Sequence, residues 1–503
     1  MNDRIRSIAV VGMVLLAALI IGTTYWQAWA ESQLSAQQDN ALQRVAQFKI
    51  DRGDIKTEDG TVLALNHVLH VKGNTFYLRH YPVGPLAVAV VGYSTQGRSR
   101  AGLERSMNDF LTASNSDLNT VLTRTLNSLE GKTVRGNSLV LTLKPAQQFV
   151  AQRALTQSGS CGAAVSLDIK TGKVLVMATS PTYNPNLVEH HFDQIAGTKA
   201  PCYGAPSPLL NRATAGLYQP GSSFKVVTAA AALDSGTFTP DSTFFDPGYC
   251  VEFGKQVHNF QDQSGPEVFG NVTLAQGLQH SINSVFCNVG KKLGALKILQ
   301  YAKRFGFYST PNLETPTDEQ STSGLYNCDR KTGRCRLFDP RHDYQVDPGR
   351  LAFGQERLQV TPLQMAMVAA AIGNGGAVMQ PYVVDRILKP GGGVLQTTKP
   401  RELDRAISPR TASELTTMME SVVTGGTGTA AQIPGVAVAG KTGTAETGRN
   451  GVNTTWFVAF APADHPRYAV AVTLENQLHK TGGEVAAPIA KTVMEALLRQ
   501  TTP

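Results

Sequence analysis

Hydrophobic and polar positions change their period several times along this chain. From Ser7 to Ala30 no residue is charged, Ile8 to Gly22 is almost purely apolar, and Asp3, Arg4 and Arg6 precede the run. A helix of about 20 apolar residues spans a bilayer, and Tyr25, Trp26 and Trp29 are aromatics of the kind favoured at its interface. The pattern therefore predicts a cytoplasmic tail (1–7) and a single transmembrane anchor (8–29) in the plasma membrane. Ala28-Trp29-Ala30 also has the small-x-small form of a signal-peptide cleavage site, which is the alternative. Under either reading the bulk of the chain is extracytoplasmic.

Glu31 to about Phe48 is polar and helix-permissive, a stalk, and short β-like pieces follow around Gly53, Gly60 and Gly73. Together they make a small N-terminal module, 30–136. At SLVLTLKPAQQFVAQRAL, alternation gives way to a helical period, and a second domain, 137–503, begins. There AAVSLDIKTGKVLVMATS reads as a β-hairpin turning at Thr171-Gly172. With strands near Val436–Ala439, Trp456–Ala461 and Tyr468–Leu474 it predicts a five-stranded antiparallel sheet. Helices are expected at Ser222–Leu233, opened by Pro220-Gly221 and stopped by Gly236, and at Leu363–Ile372 and Ile489–Leu498. The fold class is α/β of the α+β kind, helices flanking one sheet.

At 503 residues the chain exceeds one ordinary core. Its 46 basic and 38 acidic side chains leave +8, spread thinly. No basic cluster interleaved with aromatics supports nucleic-acid binding. An exported chain can pair its six cysteines. Cys328 and Cys335 bound a short polar loop and are the candidate bridge, whereas Cys287, inside an apolar run, reads as core. No CxxC or HExxH spacing points to a metal.

The chemistry centres on Ser222-Ser223-Phe224-Lys225, the only Ser-x-x-Lys in the chain. On a helix, positions i and i+3 share a face, which brings a hydroxyl beside an amine. A desolvated lysine can remove the serine proton, and a helix start turns N–H groups and positive dipole toward a developing oxyanion. Ser281-Ile282-Asn283 adds a proton-carrying hydroxyl and an amide, though Ser-x-Asn is also a common helix cap. A second copy, Ser106-Met107-Asn108, lies in the first module and reads as structural. Lys-Thr-Gly occurs four times, at Lys170, Lys331, Lys441 and Lys480. Only Lys441 ends a strand-like run, VAVAG; on a strand Lys441 and Gly443 would face one way, Thr442 and Thr444 the other. Gly443 would admit a substrate backbone.

Ser222-x-x-Lys225, Ser281-x-Asn283 and Lys441-Thr442-Gly443, in this order, resemble the penicillin-binding proteins and serine β-lactamases. The resemblance extends to GRLAFGQERLQVTPLQMAMVAAAIGNGG (349–376), TTWFVAFAP (454–462), RGDIKTEDGTVLA (52–64) and AGLERSMNDFL (101–111). The last two blocks resemble the N-terminal domain of class B, monofunctional enzymes, especially the short actinobacterial A type. The resemblance implies a peptidoglycan D,D-transpeptidase of division or shape control. Ser222 would be acylated by D-Ala-D-Ala stem peptides or by β-lactams, with Lys225 as base, Ser281 as proton shuttle and Asn283 holding the peptide amide. Lys441, Thr442 and Thr444 would engage the carboxylate, and the N–H groups of Ser222 and Thr444 would form the oxyanion hole. It implies no cofactor, and a glycosyltransferase or division proteins as partners. Two features depart from the family pattern, Glu356 where glycine is usual and the cysteine-bearing insertion at 328–335.

Among rivals, a class A β-lactamase would need a Glu-x-x-Leu-Asn between Ser281 and Lys441, and none occurs. A D,D-carboxypeptidase, with water as acceptor, uses the same residues. A β-lactam sensor would need a signalling domain, and a non-catalytic scaffold would tolerate loss of Ser222, Lys225 or Lys441, all of which are present.

Overall fold

Trp456, Val458 and Phe460 alternate with Phe457 and Ala459 along one strand, and the two sets enter different apolar clusters. Such a strand must be buried on both faces. The computed structural model describes residues 48–97, 99–114, 134–200, 202, 206–252, 254–262, 265–329, 332–449 and 451–499, with 10, 12–19, 22 and 23. Its two main sheets use β1 (Ile55–Thr57), β2 (Val62–Val71), β3 (Asn74–His80), β4 (Ser138–Leu141), β5 (Gly162–Asp168), β6 (Val174–Ser180), β7 (Val384–Leu388), β8 (Val394–Thr397), β9 (Ala439–Glu446), β10 (Val452–Ala461) and β11 (Tyr468–Leu478). The sheet behind the site runs β9-β10-β11-β5-β6, each neighbouring pair antiparallel.

Helices α1 (Pro145–Gln157), α2 (Lys225–Asp234), α3 (Asn283–Leu293), α4 (Pro362–Gly373), α5 (Pro409–Gly425) and α6 (Gly482–Arg499) surround it. Ala151 and Leu155 of α1 and Ala490, Val493 and Met494 of α6 pack on Val176, Phe457 and Val472. On the opposite face every residue of α4 is buried, as expected of a helix that is apolar all round. Pro362 opens it, and the Thr361 hydroxyl accepts the Gln364 N–H at 3.1 Å, satisfying one of the orphan donors of its first turn.

Several boundaries differ from the sequence expectation. The expected strand at Val436 starts only at Ala439, because Gly435 takes φ +74° and Val436 N–H folds back onto Ile433 O. The strand continues to Glu446, so Lys441-Thr442-Gly443 lies inside it. Helix α6 starts at Gly482, well before the expected Ile489; Pro488 sits in its second turn and reads deceptively as a helix start. A 3₁₀ turn, Gly221–Phe224, precedes α2, so Ser222 stands before the α-helix. Cys287 is bonded to Cys250, not simply core; Cys161 is joined to Cys202 and Cys328 to Cys335. Most of the expected anchor and stalk, and Lys331, lie outside the described residues; 10, 12–19, 22 and 23 are helical. Among the described residues no helix is long and apolar enough to cross a membrane.

The second sheet, β8-β7-β4-β1-β2-β3, joins strands from both sides of residue 136, with β1 and β4 parallel. Beside it Glu104 is fully buried and bonded to Arg52 at 2.9 Å and Arg79 at 2.5 Å. Arg52 also donates to Asn108 Oδ1 at 2.8 Å, which places the Ser106-Met107-Asn108 copy in this structural cluster. The RGDIKTEDG and AGLERS blocks thus meet through one ion triad. Replacing Glu104 with Ala would leave two buried cations unpaired and is expected to cost about 3–5 kcal/mol. Denaturant unfolding, beside the wild-type chain, checks this.

Candidate active site

Gly221 sets the geometry of the nucleophile turn. Its φ is +52°, and a Cβ there would meet Thr444 O of β9 at 2.7 Å, so only glycine lets the turn lie against the strand. Its N–H donates to Gly354 O at 3.0 Å. Trp456 Nε1 donates to Gln219 O at 2.9 Å, and Ser223 Oγ to Pro220 O at 2.7 Å. These bonds fix Ser222 at the head of α2, one turn before Lys225.

Lys225 and Lys441 are both fully buried. Lys225 Nζ donates to Ser281 O at 2.5 Å and to Asn283 Oδ1 at 2.8 Å, with Ser281 Oγ at 3.4 Å. Its pKa is well below the ordinary lysine value, first because burial penalises the ammonium and second because Lys441 adds like charge. Lys441 Nζ donates to Ser281 Oγ at 2.8 Å and to Thr442 O at 2.9 Å, and burial pushes its pKa down to about 7. The Ser281 hydroxyl therefore lies between two amines.

Ser281 is not a helix cap. The cap of α3 is Ile282, which makes no side-chain capping bond, and Ser281 itself takes φ +59°. That left-handed conformation costs a serine about 1 kcal/mol and is tolerated where surrounding bonds fix it. Asn283 Nδ2 donates to His258 O at 3.0 Å, which fixes which way its amide faces.

Strand β9 is an edge strand of its sheet, so part of its backbone polar groups face away from β10. Thr442 Oγ1 lies 2.6 Å from Thr427 Oγ1, and Thr444 Oγ1 accepts from Gly482 N–H at 3.3 Å. A Cβ on Gly443 would meet Pro220 O at 2.7 Å and Trp456 Cβ at 2.8 Å. The glycine is thus required for packing against the nucleophile turn, where the sequence reading assigned it to substrate approach. Of the other copies, Lys170 Nζ bonds Asn374 Oδ1 on the surface and exposed Lys480 lies 3.8 Å from Glu484.

Thr427 was not anticipated. It lies in Gly-Gly-Thr-Gly-Thr (425–429), which by pattern is only a helix stop. The groupings Cys161-Cys202-Glu475 and Cys250-Glu252-Cys287 bring metal-ligand types together, but their sulfurs are in disulfides and offer no thiolate. Glu356 takes φ +65°, a left-handed conformation that favours glycine. Glu356→Gly should leave stability within about 1 kcal/mol, whereas Glu356→Val should cost more, because a β-branched residue suits that conformation least. Thermal melts distinguish the two.

A serine one turn before a buried lysine of lowered pKa, with a second serine bridging to another lysine, is the arrangement of an active-site-serine acyltransferase. Residues 162–495 match the penicillin binding protein transpeptidase domain, and 52–139 match the penicillin binding protein A dimerisation domain. The chain is 35% identical to the peptidoglycan D,D-transpeptidase PbpA of Mycolicibacterium smegmatis over 99% of its own length and 100% of that protein. It superposes on penicillin-binding protein A from M. tuberculosis, in a ceftriaxone acyl-enzyme complex, with TM-score 0.79 and 32% identity over 90% of this chain and 100% of the other. A D,D-transpeptidase domain from Eggerthella lenta gives TM-score 0.75 and 35% identity over 90% and 99%. The chain belongs to the penicillin-binding protein transpeptidase family.

Proposed function

We propose that this chain is a peptidoglycan D,D-transpeptidase that cross-links stem peptides through an acyl-enzyme on Ser222 and is acylated and inhibited by β-lactams. The observation that carries the reading is the buried Lys225 amine, its pKa lowered by burial and by Lys441, one turn from Ser222 and bonded to the Ser281–Asn283 segment. Neutral Lys225 accepts the Ser222 proton as Oγ attacks the penultimate D-Ala carbonyl. The N–H groups of Ser222 and Thr444 hold the oxyanion. Lys441, Thr442 and Thr444 hold the terminal carboxylate, and Asn283 the peptide amide. Ser281, between the two lysines, passes a proton to the departing D-Ala nitrogen, so the C–N bond breaks as an N–H bond forms. A second stem peptide's amine then attacks the ester, releases Ser222 and makes the cross-link.

In this reading residues 137–503 form the transpeptidase domain and 30–136 a non-catalytic module that positions it or binds a glycosyltransferase or division protein. The uncharged run at 8–29 is the single-pass anchor that holds the catalytic domain on the extracytoplasmic side of the plasma membrane. The named activities of the relatives support the chemistry.

Intact-mass spectrometry with benzylpenicillin should find one stable adduct, mapped to Ser222 and lost in Ser222→Ala. A catalytically silent scaffold would give neither adduct nor hydrolysis. The acylation constant should fall as acid charges Lys225. Replacing Lys441 with Gln removes its like charge, raises the Lys225 pKa and should move that acid limb to higher pH; a stopped-flow pH profile measures both effects.

A further inference from the structure

Behind the Ser281–Asn283 wall lies a carboxylate that this reaction does not use. Asp246 ends the strand Thr243–Asp246 and is fully buried. It is met by hydrogen-bond donors: Gly248 N–H at 2.9 Å, Phe269 N–H at 2.9 Å, Ser284 Oγ at 2.5 Å, and Asn259 Nδ2 at 3.0 and 2.9 Å from its two oxygens. All four donor residues are uncharged. Among the described residues no cation is bonded to it, and a buried carboxylate of that kind is costly unless donors saturate it, so this one holds its surroundings in a single arrangement.

What it holds is Asn259. The Asn259 side chain donates to Asp246 and to Glu267 O at 2.9 Å, and its Oδ1 accepts the Ser284 N–H at 3.0 Å. The carbonyl one residue earlier, His258 O, accepts from Asn283 Nδ2 at 3.0 Å. Residues 258 and 259 thus grip the head of α3 at two adjacent positions, the Asn283 side chain and the Ser284 backbone. The Cys250–Cys287 bond ties the same β segment to α3 one turn further on.

We propose that Asp246 is a positioning residue for acyl transfer: acting through Asn259 and the His258 carbonyl, it sets the rotation of the Asn283 amide and so fixes the acceptor that Lys225 meets. The inference rests on the transpeptidase reading. Its chemical consequence follows from counting protons. A charged Lys225 has three to donate and a neutral one two, and Lys225 faces three acceptors, Ser281 O, Ser281 Oγ and Asn283 Oδ1. Turning Asn283 away therefore penalises the ammonium more than the amine. Among the described residues the charged group that perturbs Lys225 is Lys441, and the Phe286 ring packs 5.4 Å from its amine.

The test is the pH profile of acylation by benzylpenicillin in the detergent-solubilised full-length chain, per active site counted from the adduct, for wild type, Asp246→Asn and Asn259→Ser. Asp246→Asn keeps the shape but sets an NH₂ against backbone donors. The constant should drop about tenfold, as slight misplacement of a catalytic group does, and the acid limb should move to lower pH in both variants. A purely structural residue would lower the number of active sites and leave the limb where it was. An unmoved limb in whichever variant retains active sites overturns the proposal, and so does loss of all active sites in both. If the wild type forms no adduct, or Ser222→Ala still forms one, the transpeptidase reading fails instead.

Discussion

Everything in the site depends on two lysine amines held in one buried pocket with no carboxylate bonded to either among the described residues. Two ammonium ions so placed repel one another and have lost their water. The cost falls on the charged state, so burial and the like charge of Lys441 hold the Lys225 pKa well below the ordinary lysine value. Its acceptors are a backbone carbonyl, a hydroxyl and an amide, which orient the amine without stabilising its charge as a carboxylate would. Strain at Ser281, with φ +59°, belongs to the same design, because it sets the hydroxyl between both amines.

The scaffold supplies that pocket by close packing. Gly221, Gly354 and Gly443 lie where the nucleophile turn, a neighbouring loop and the edge strand β9 press together, and a Cβ on any of them would meet backbone within 2.7 Å. The sheet beneath is covered by α1 and α6 on one face and by α4 on the other. Its edge strand β9 is held against the nucleophile turn, with Gly221 and Gly443 at the contact.

Local signals carried much of this into the sequence. Ser222 and Lys225 are one helical turn apart, and one Lys-Thr-Gly among four follows a strand-like run, so both could be read from spacing and neighbours. What could not be read depends on distant segments. The Cys250–Cys287 pairing, the sheet that joins residues 55–80 with 384–397, and the Thr427 hydroxyl beside Thr442 arise only once the chain has folded. Gly443 was legible as a required glycine, yet its reason lay in Pro220 and Trp456. Pro488 resembles a helix start, but a proline is tolerated in the early turns of a helix, and α6 begins at Gly482, earlier than the pattern suggests. Glu356 was visible as a departure from the family pattern, but its left-handed backbone was not.

The central claim is that burial and the neighbouring Lys441 hold the Lys225 amine well below the ordinary lysine pKa. Carbon-13 NMR of lysine Cε in the full-length chain, with the Lys225 signal assigned by its absence in Lys225→Arg, follows its titration directly. The account expects Lys225 to titrate well below the ordinary lysine range of about 10.4, and its midpoint to rise when Lys441 is replaced by Gln. A Lys225 signal that titrates with the surface lysines, unaffected by Lys441, would contradict it.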